Sequence, residues 1–302
     1  MVETVPQSAA EQLTKYRSYH TTTSPYPLPN DTTEHQRLDE QHAAALAAMH
    51  DRLLHAPVTA PSRILDVGCG TGATTVALAR QFPAASAVGL DLSPVPALSP
   101  GSAAAAAAAN ARAVEGDFLD PAFARHPDVR DGSFGLVFSR FLVMGVNDWD
   151  GFYRRAFAVL APGGWVETQD VDQVWYDAAG KRCSDGWPWL RAMTEAGRRR
   201  GLDMECASNA ARRMEEAGFA DVRTERFVVP LGEWGEHPEG DAVGRFARKT
   251  LRSSLQGALG KMLREDGVEE ETVRELRDGL LGDEVWNKGI HRYLTVTCGR
   301  KP

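Results

Sequence analysis

The chain has 302 residues, of which 43% are hydrophobic and 25% charged, a composition that excludes wholesale disorder and fits one large domain with a cap. Its 34 Lys and Arg against 41 Asp and Glu give a formal charge of −7, and this acidic balance disfavours nucleic acid as a partner. No apolar stretch approaches the roughly 20 residues that a membrane helix needs, so no membrane association is predicted.

The N-terminal segment, residues 1–61, is predicted to form an arm and a helical lid. Three prolines at positions 25, 27 and 29 favour an extended arm, with a short helix around Ala9–Tyr16. Asp31 then caps a longer helix, with Glu34 three residues on as in a capping box. Its apolar face would comprise Leu38, Ala45, Leu46, Met49 and Leu53, before the prolines at 57 and 61 end it.

Short β-type runs alternate with helical ones from Arg63 onward. Strands are predicted at Ile64–Val67, Ala87–Leu90, Ala111–Val114, Leu136–Phe138 and Val166–Thr168. Helices are predicted at Ala73–Gln81, Trp149–Leu160, Trp187–Arg199 and Cys206–Ala217. The alternation implies right-handed βαβ units and a parallel sheet with helices on both faces.

A long insertion separates the last two predicted strands, Asp221–Val229 and Arg292–Cys298. A β-hairpin loop needs only about 2–5 residues, so residues 230–291 are predicted to form a helical cap. Its helices would lie near Val243–Glu265 and Glu269–Leu281. The core domain would then comprise residues 62–229 together with 292–302.

The strongest motif is a glycine-rich run that follows the first strand. The strand delivers Asp66, and then Gly68, Gly70 and Gly72 follow at alternate positions, where glycine lets the backbone turn sharply against a ligand. The next helix presents free N–H groups at its N-terminus. A dinucleotide site needs G-x-G-x-x-G, but here the spacing is one residue short and Asp66 would repel a pyrophosphate. The predicted ligand is therefore zwitterionic, with an ammonium- or sulfonium-bearing amino-acid tail.

This run resembles the glycine loop of the class I S-adenosylmethionine-dependent methyltransferases. Further runs resemble that family's motifs in the same order: Val88–Leu92, Glu115–Phe118, Phe134–Ser139, Ala161–Trp165 and Glu215–Phe219. The resemblance covers residues 65–230 and the last strand. It implies an α/β, Rossmann-like seven-stranded sheet whose last strand is antiparallel, with an N-terminal helical arm and a C-terminal helical cap insertion.

The resemblance also implies which residues bind the cofactor S-adenosylmethionine, leaving S-adenosylhomocysteine as product. Asp91 would accept both ribose hydroxyls, Asp117 would accept the adenine amino group, and Phe118 would flank the ring. The implied cofactor set is Asp66, Gly68, Cys69, Gly70, Gly72, Asp91, Leu92, Asp117, Phe118 and Ser139.

A narrower resemblance, to the fungal LaeA-like methyltransferases, appears at both ends of the chain. It rests on Tyr26–Asp31, Glu34, Arg37–Asp39, Gln41–His42, Phe138–Arg140, Asp148–Trp149, Tyr293 and the closing Gly299–Pro302. That group includes regulators of secondary metabolism and enzymes that methylate natural products.

The predicted function is methyl transfer from S-adenosylmethionine to a small organic acceptor, either a secondary metabolite or its biosynthetic intermediate. Acceptor contacts are predicted for Tyr26, Arg140, Trp175 and His291. No catalytic residue is named, because a sulfonium is a good leaving group and the protein mainly aligns the nucleophile and excludes water. No metal site is predicted.

Two other functions remain open at this point. One is a regulatory member that acts through a protein partner in the nucleus, and the other is a nicotinamide oxidoreductase, which the glycine spacing disfavours. A homodimer is also left open. The four cysteines form no close pair, which predicts reduced thiols in the cytoplasm, with the nucleus as the alternative compartment.

Overall fold

The computed structural model describes residues 17–22, 24–99, 101–121, 123, 126–232, 240–282, 286 and 289–302. The short helix predicted around Ala9–Tyr16 lies outside the described residues. None of the described helices is both long enough and apolar enough to cross a membrane. All four cysteines are free thiols.

A seven-stranded sheet forms the centre of the molecule. Its strands are β1 (Arg63–Val67), β2 (Ser86–Asp91), β3 (Ala111–Glu115), β4 (Phe134–Arg140), β5 (Leu160–Val171), β6 (Ala220–Pro230) and β7 (His291–Arg300). They lie in the order β3-β2-β1-β4-β5-β7-β6. The first five strands run parallel, and β7 runs antiparallel to both of its neighbours. The predicted fold class is confirmed, and each predicted strand lies within an observed one.

Helices flank the sheet and form the lid and the cap. They are α1 (Thr32–Ala48), α2 (Ala73–Gln81), α3 (Ala103–Ala106), α4 (Trp149–Val159), α5 (Pro188–Arg199), α6 (Cys206–Glu216), α7 (Gly240–Phe246), α8 (Arg252–Glu265) and α9 (Glu270–Leu281). The helix predicted at Val243–Glu265 is confirmed, although it begins at Gly240 and contains a π-helical turn, Ala247–Leu251, between α7 and α8. Such turns often occur at functional sites.

The strands bury one side-chain row on each face of the sheet, because successive residues of a strand point to opposite faces. Ile64 packs in one hydrophobic cluster with Leu78 of α2, whereas its neighbour Leu65 packs in another with Phe152 of α4. Both faces are therefore covered by helices, as the βαβ alternation predicts.

The lid helix α1 begins as predicted but ends earlier. The Oδ1 atom of Asp31 accepts the backbone N–H of Glu34 at 3.0 Å, which caps the helix. The predicted continuation to Leu53 is wrong, because His50 and Asp51 take φ values of 53° and 59°. This left-handed pair stops the helix well before the prolines.

The buried face of α1 also differs from the predicted apolar face. The buried residues are Glu34, Arg37, Gln41, Ala45 and Ala48, which recur at helical spacing. Three of the five are polar, and these three line the cavity described below, whereas Ala45 packs in the apolar core.

The cap helices contact the rest of the molecule at two places. Helix α7 packs on α1 and β6, and α8 and α9 pack on each other and on α5. The π turn and the start of α8 therefore lie close to the lid. The division into arm, core and cap at residues 61–62, 229–230 and 291–292 stays a prediction.

Candidate functional site

A cavity of about 290 Å³ opens above the carboxyl ends of the central strands. It lies where the strand order reverses, between β1 and β4, which is the position that ligands occupy in open α/β sheets. Its glycine-loop end is formed by Gly68, Cys69, Gly70 and Asp91. Its opposite end, called the β7 end here, is formed by Val171, Gln173 and Arg292, with the start of α8 above them.

The glycine loop has a backbone that other residues would adopt only with strain. Gly68, Gly70 and Gly72 have φ values of 69°, 56° and 86°. The N–H of Gly68 donates to the carbonyl of Leu90 at 2.7 Å, which ties the loop to β2. A Cβ on Gly72 would lie 2.8 Å from a methyl group of Val95, so Gly72 also permits close packing. Gly72 does not line the cavity; it starts α2.

Asp91, at the end of β2, faces the glycine loop. Its Oδ2 atom accepts the N–H of Gly70 at 2.8 Å, and its Oδ1 atom accepts the N–H of Ser93 at 3.1 Å. Burial raises the pKa of this carboxyl, while backbone N–H donors oppose the rise. Cys69 and Leu92 line the cavity beside it.

Asp66, near the end of β1, lies on the floor of the cavity and is 2% exposed. The hydroxyl of Thr75 donates to its Oδ2 atom at 2.6 Å. Burial raises the pKa of Asp66 to about 6, against the opposing effects of the Thr75 hydrogen bond and the Arg140 cation. The charge at this position therefore changes as the pH passes through about 6.

Asp117 and Phe118 follow β3 and form the side wall of the cavity. The Oδ1 atom of Asp117 accepts the N–H of Leu119 at 2.9 Å. The Phe118 ring packs edge-on against Phe152, with centroids 5.3 Å apart. The structure thus brings an acceptor oxygen and an aromatic ring to one place, as the third motif predicts.

Arg140, at the end of β4, lies nearer the glycine loop than its predicted role as an acceptor contact implies. Its Nη2 atom donates to the Thr74 hydroxyl at 2.7 Å and lies 2.5 Å from Nδ1 of His42. Burial lowers the pKa of Arg140 to about 10, and the Asp66 carboxylate opposes that shift. Its Nη1 atom is buried without a partner among the described residues.

His42 of α1 is a neutral partner for this guanidinium. Burial and the Arg140 cation lower the pKa of His42 to about 4. Nδ1 of the neutral imidazole can therefore accept a hydrogen bond from Arg140 near neutral pH. This contact joins the lid to the end of β4.

The N-terminal arm covers the glycine-loop end. Nε2 of His20 lies 3.0 Å from the Tyr26 carbonyl, and the Asn30 amide donates to the Ser93 hydroxyl at 3.2 Å. Both His20 and Tyr26 line the cavity. Burial raises the pKa of Tyr26, so its phenol stays protonated near neutral pH.

Three further predicted site residues do not line the cavity. Ser139 is 1% exposed inside β4. Trp175 is fully buried, with its ring 5.8 Å from Trp187 and 5.5 Å from Trp189. His291 is 4% exposed and stacks on Tyr176. Trp175 packs with Trp187 and Trp189 in the core, so the acceptor contacts predicted for Trp175 and His291 are not supported by their position.

A polar row on the lid, noted above only for its family resemblance, was not predicted to line the cavity. Glu34, Arg37 and Gln41 are buried and all line the cavity. Arg37 donates to Glu34 at 2.6 Å and to Gln41 at 3.1 Å, so the row is internally paired. The available signal was the spacing of three polar residues on one helical face.

Two polar residues at the β7 end were also not predicted as site residues. Gln173 and Arg292 are 5% and 3% exposed and line the cavity. Oε1 of Gln173 and both Nε and Nη1 of Arg292 are buried without a partner in the described part of the chain. No local motif marks either residue, because the sheet order alone brings them together.

A family model described as a methyltransferase domain matches residues 38–224. The methyltransferase pytC of Aspergillus terreus is 30% identical over 296 residues, covering 95% of this chain and 86% of that protein. The secondary metabolism regulator laeA of Monascus pilosus is 29% identical, covering 92% and 74%. Among solved structures, the [4+2]-cyclase SpnF is similar with a TM-score of 0.50 and 19% identity, covering 86% and 81%, a likeness of fold alone.

Proposed function

The chain belongs to the methyltransferase domain family and uses S-adenosylmethionine as the methyl donor, and we propose that it methylates a small organic acceptor. We assign that acceptor to secondary metabolism, as a metabolite or a biosynthetic intermediate. The observation that carries the proposal is the cavity of about 290 Å³, which has the glycine loop and Asp91 at one end and Gln173 and Arg292 beneath the leucines of the cap at the other. The likeness to pytC and laeA supports the metabolic setting.

The glycine-loop end fits the adenosyl part of the cofactor. An ionised carboxylate offers about four acceptor positions, and Asp91 uses two of them for backbone N–H groups. The remaining positions would accept the two ribose hydroxyls. Asp117 and Phe118 would hold the adenine, with Leu92 packed beside it. Ser139 and Gly72 would act only by shaping the strand end and the start of α2.

The amino-acid part of the cofactor fits between Asp66 and Arg140. Asp66, when ionised, would attract the ammonium group, beside the backbone of Gly68, Cys69 and Gly70. The unpartnered Nη1 atom of Arg140 would donate to the carboxylate. Arg140 therefore becomes a cofactor ligand in this proposal, in place of the acceptor contact expected from the sequence.

Bound S-adenosylmethionine supplies an electrophilic methyl carbon and a neutral thioether as leaving group. The protein's own contribution is positional: the arm and α1 cover the cavity and exclude water, and the β7 end holds the acceptor. Tyr26 would pack against the acceptor or the cofactor from above. No residue is assigned as a general base.

A regulatory role through a protein partner is the second candidate, favoured by the likeness to laeA. The cytoplasm suits the enzyme and the nucleus suits the regulator, and the four free cysteines fit either compartment. A homodimer stays a prediction.

Radiolabelled methyl transfer separates the two candidates. The purified chain is incubated with S-adenosyl-[methyl-14C]methionine and an organic extract of the organism that encodes it. Label in the small-molecule fraction, absent with Asp91→Ala, is the expected result. In a parallel incubation with a protein extract of the same organism, label confined to protein would favour the regulator. If the chain binds S-adenosylhomocysteine but transfers no label in either incubation, the proposed function is wrong.

A further inference from the structure

The β7 end of the cavity holds a buried cation, Arg292, that forms no ion pair within the described part of the chain. Arg292 is 3% exposed, and its Nε and Nη1 atoms are buried without hydrogen-bond partners. Asp170 acts on it electrostatically, but the Asp170 oxygens already accept the N–H groups of Leu142 and Val171. Burying a charged group without a partner is unfavourable, so this guanidinium is poised for an anion.

An unused acceptor lies in the same end of the cavity. Gln173 is 5% exposed, and its Oε1 atom is buried without a partner in the described ranges. Both residues line the same end of the cavity, so two donor nitrogens and one acceptor oxygen lie unpaired beside it. An occupant that satisfies all three carries an anionic oxygen and, near it, an O–H or N–H group.

The surroundings of these polar atoms are apolar. Leu251 ends the π turn, and Leu255 lies in the first turn of α8 above the cavity. A recess of about 20 Å³ beside Arg292 is lined by side chains that include Ala45, Val229 and Leu294. Apolar walls around a few polar groups are typical of small-molecule sites. The occupant therefore combines a charged group with an apolar body.

The sheet order separates Arg292 from the cofactor's carboxylate. Strand β7 lies three positions from β1, whereas Arg140 on β4 lies next to the glycine loop. Arg140 can supply the donor for that carboxylate, and Arg292 is left for the acceptor.

We propose that the β7 end selects an acceptor with an anionic oxygen, a carboxylate or an ionised phenol or enol, on an apolar body. The oxyanion pairs with Arg292, and a neighbouring O–H or N–H group donates to Gln173. The proposal rests on the proposed function and names the acceptor class for that same site. Arg292 would then determine specificity, without being required for cofactor binding.

Paired acids and amides test the proposal by calorimetry on the full chain saturated with S-adenosylhomocysteine. The probes are benzoate against benzamide, and 3-phenylpropanoate against 3-phenylpropanamide. At least one acid binds tenfold or more tightly than its amide, and Arg292→Met reduces that preference to twofold or less. Arg226→Met, at an exposed position on neighbouring β6, keeps the preference and serves as the matched control.

Each other outcome counts against the idea. Absence of any acid preference in the unmodified chain overturns it, and this comparison needs no variant to fold. If Arg292→Met folds and its affinity for S-adenosylhomocysteine falls more than twofold, Arg292 contacts the cofactor and the assignment to the acceptor is wrong. The uncharged polar variant Arg292→Gln repeats the test if the methionine variant is unstable. If the acids bind as expected but no component of any extract is methylated, the proposed function is wrong and the anion site is still supported.

Discussion

The carboxylate of Asp91 accepts the backbone N–H of Gly70 at 2.8 Å, so the end of β2 and the glycine loop are held as one unit. The residue that would bind the ribose thus also fixes the loop that lies against the cofactor. A substitution of Asp91 can act by either route, and the choice of replacement decides which one is measured.

Asp91→Asn is expected to weaken S-adenosylhomocysteine binding at least tenfold. The amide oxygen can still accept the Gly70 N–H, but the amide nitrogen can accept neither a ribose hydroxyl nor the Ser93 N–H. Isothermal calorimetry measures the loss, and Asp91→Ala should lose more because the loop contact also goes. Asp131→Asn, which removes an exposed ion pair with Arg155, is the control and should leave affinity unchanged. Equal affinity in Asp91→Asn and the unmodified chain would remove the ribose role.

Cofactor affinity is expected to depend on pH through Asp66. Burial raises the pKa of this carboxyl to about 6, so it is largely ionised at pH 7.5 and largely protonated at pH 5. Because only the ionised form attracts the cofactor's ammonium group, affinity falls as the pH drops through 6. Calorimetry with S-adenosylhomocysteine between pH 5 and 8 gives the profile.

Asp66→Asn provides the control for that profile. Asparagine keeps an acceptor for the Thr75 hydroxyl but has no charge to titrate. The variant should bind weakly at every pH, with a nearly flat profile. A profile as steep as that of the unmodified chain would assign the dependence to another group.

Local motifs account for the part of the site that sequence analysis reached. The conformation of Gly68 and the position of Asp91 follow from residues within one βα unit, so their spacing alone predicts them. Gln173 and Arg292 are far apart in the chain, and only the insertion of β7 between β5 and β6 brings them together. No periodicity within either segment predicts that the two residues lie close together.

The lid shows a second reason for the differences. Amphipathic patterning assumes that a helix buries its apolar side, but α1 faces a cavity and buries Glu34 and Arg37 as a pair. The helix ends early at His50 and Asp51, which take left-handed conformations. Neither residue is a glycine, so the usual sequence signal for a helix end is missing. Functional positions depart from patterning rules because ligand contact, not core packing, decides the residue type.

Arg140→Gln is expected to lower the affinity for S-adenosylhomocysteine at least tenfold. The affinity for 5′-methylthioadenosine should stay within twofold of that of the unmodified chain. The second ligand lacks the amino-acid part, so it does not report on a carboxylate contact. Calorimetry with both ligands on one protein preparation separates the two effects. If both affinities fall equally, Arg140 supports the loop through Thr74 and does not bind the carboxylate.

Trp175→Ala is expected to destabilise the fold by about 3–5 kcal/mol without weakening the cofactor, because Trp175 is fully buried and does not line the cavity. Urea unfolding gives the stability, and calorimetry on the folded fraction gives an affinity within twofold of the unmodified chain. Trp175→Phe, which keeps an aromatic ring against Trp187 and Trp189, serves as the milder variant if the alanine protein does not accumulate. A loss of acid-probe or cofactor binding in Trp175→Phe at unchanged stability would return Trp175 to the binding site and contradict its placement in the core.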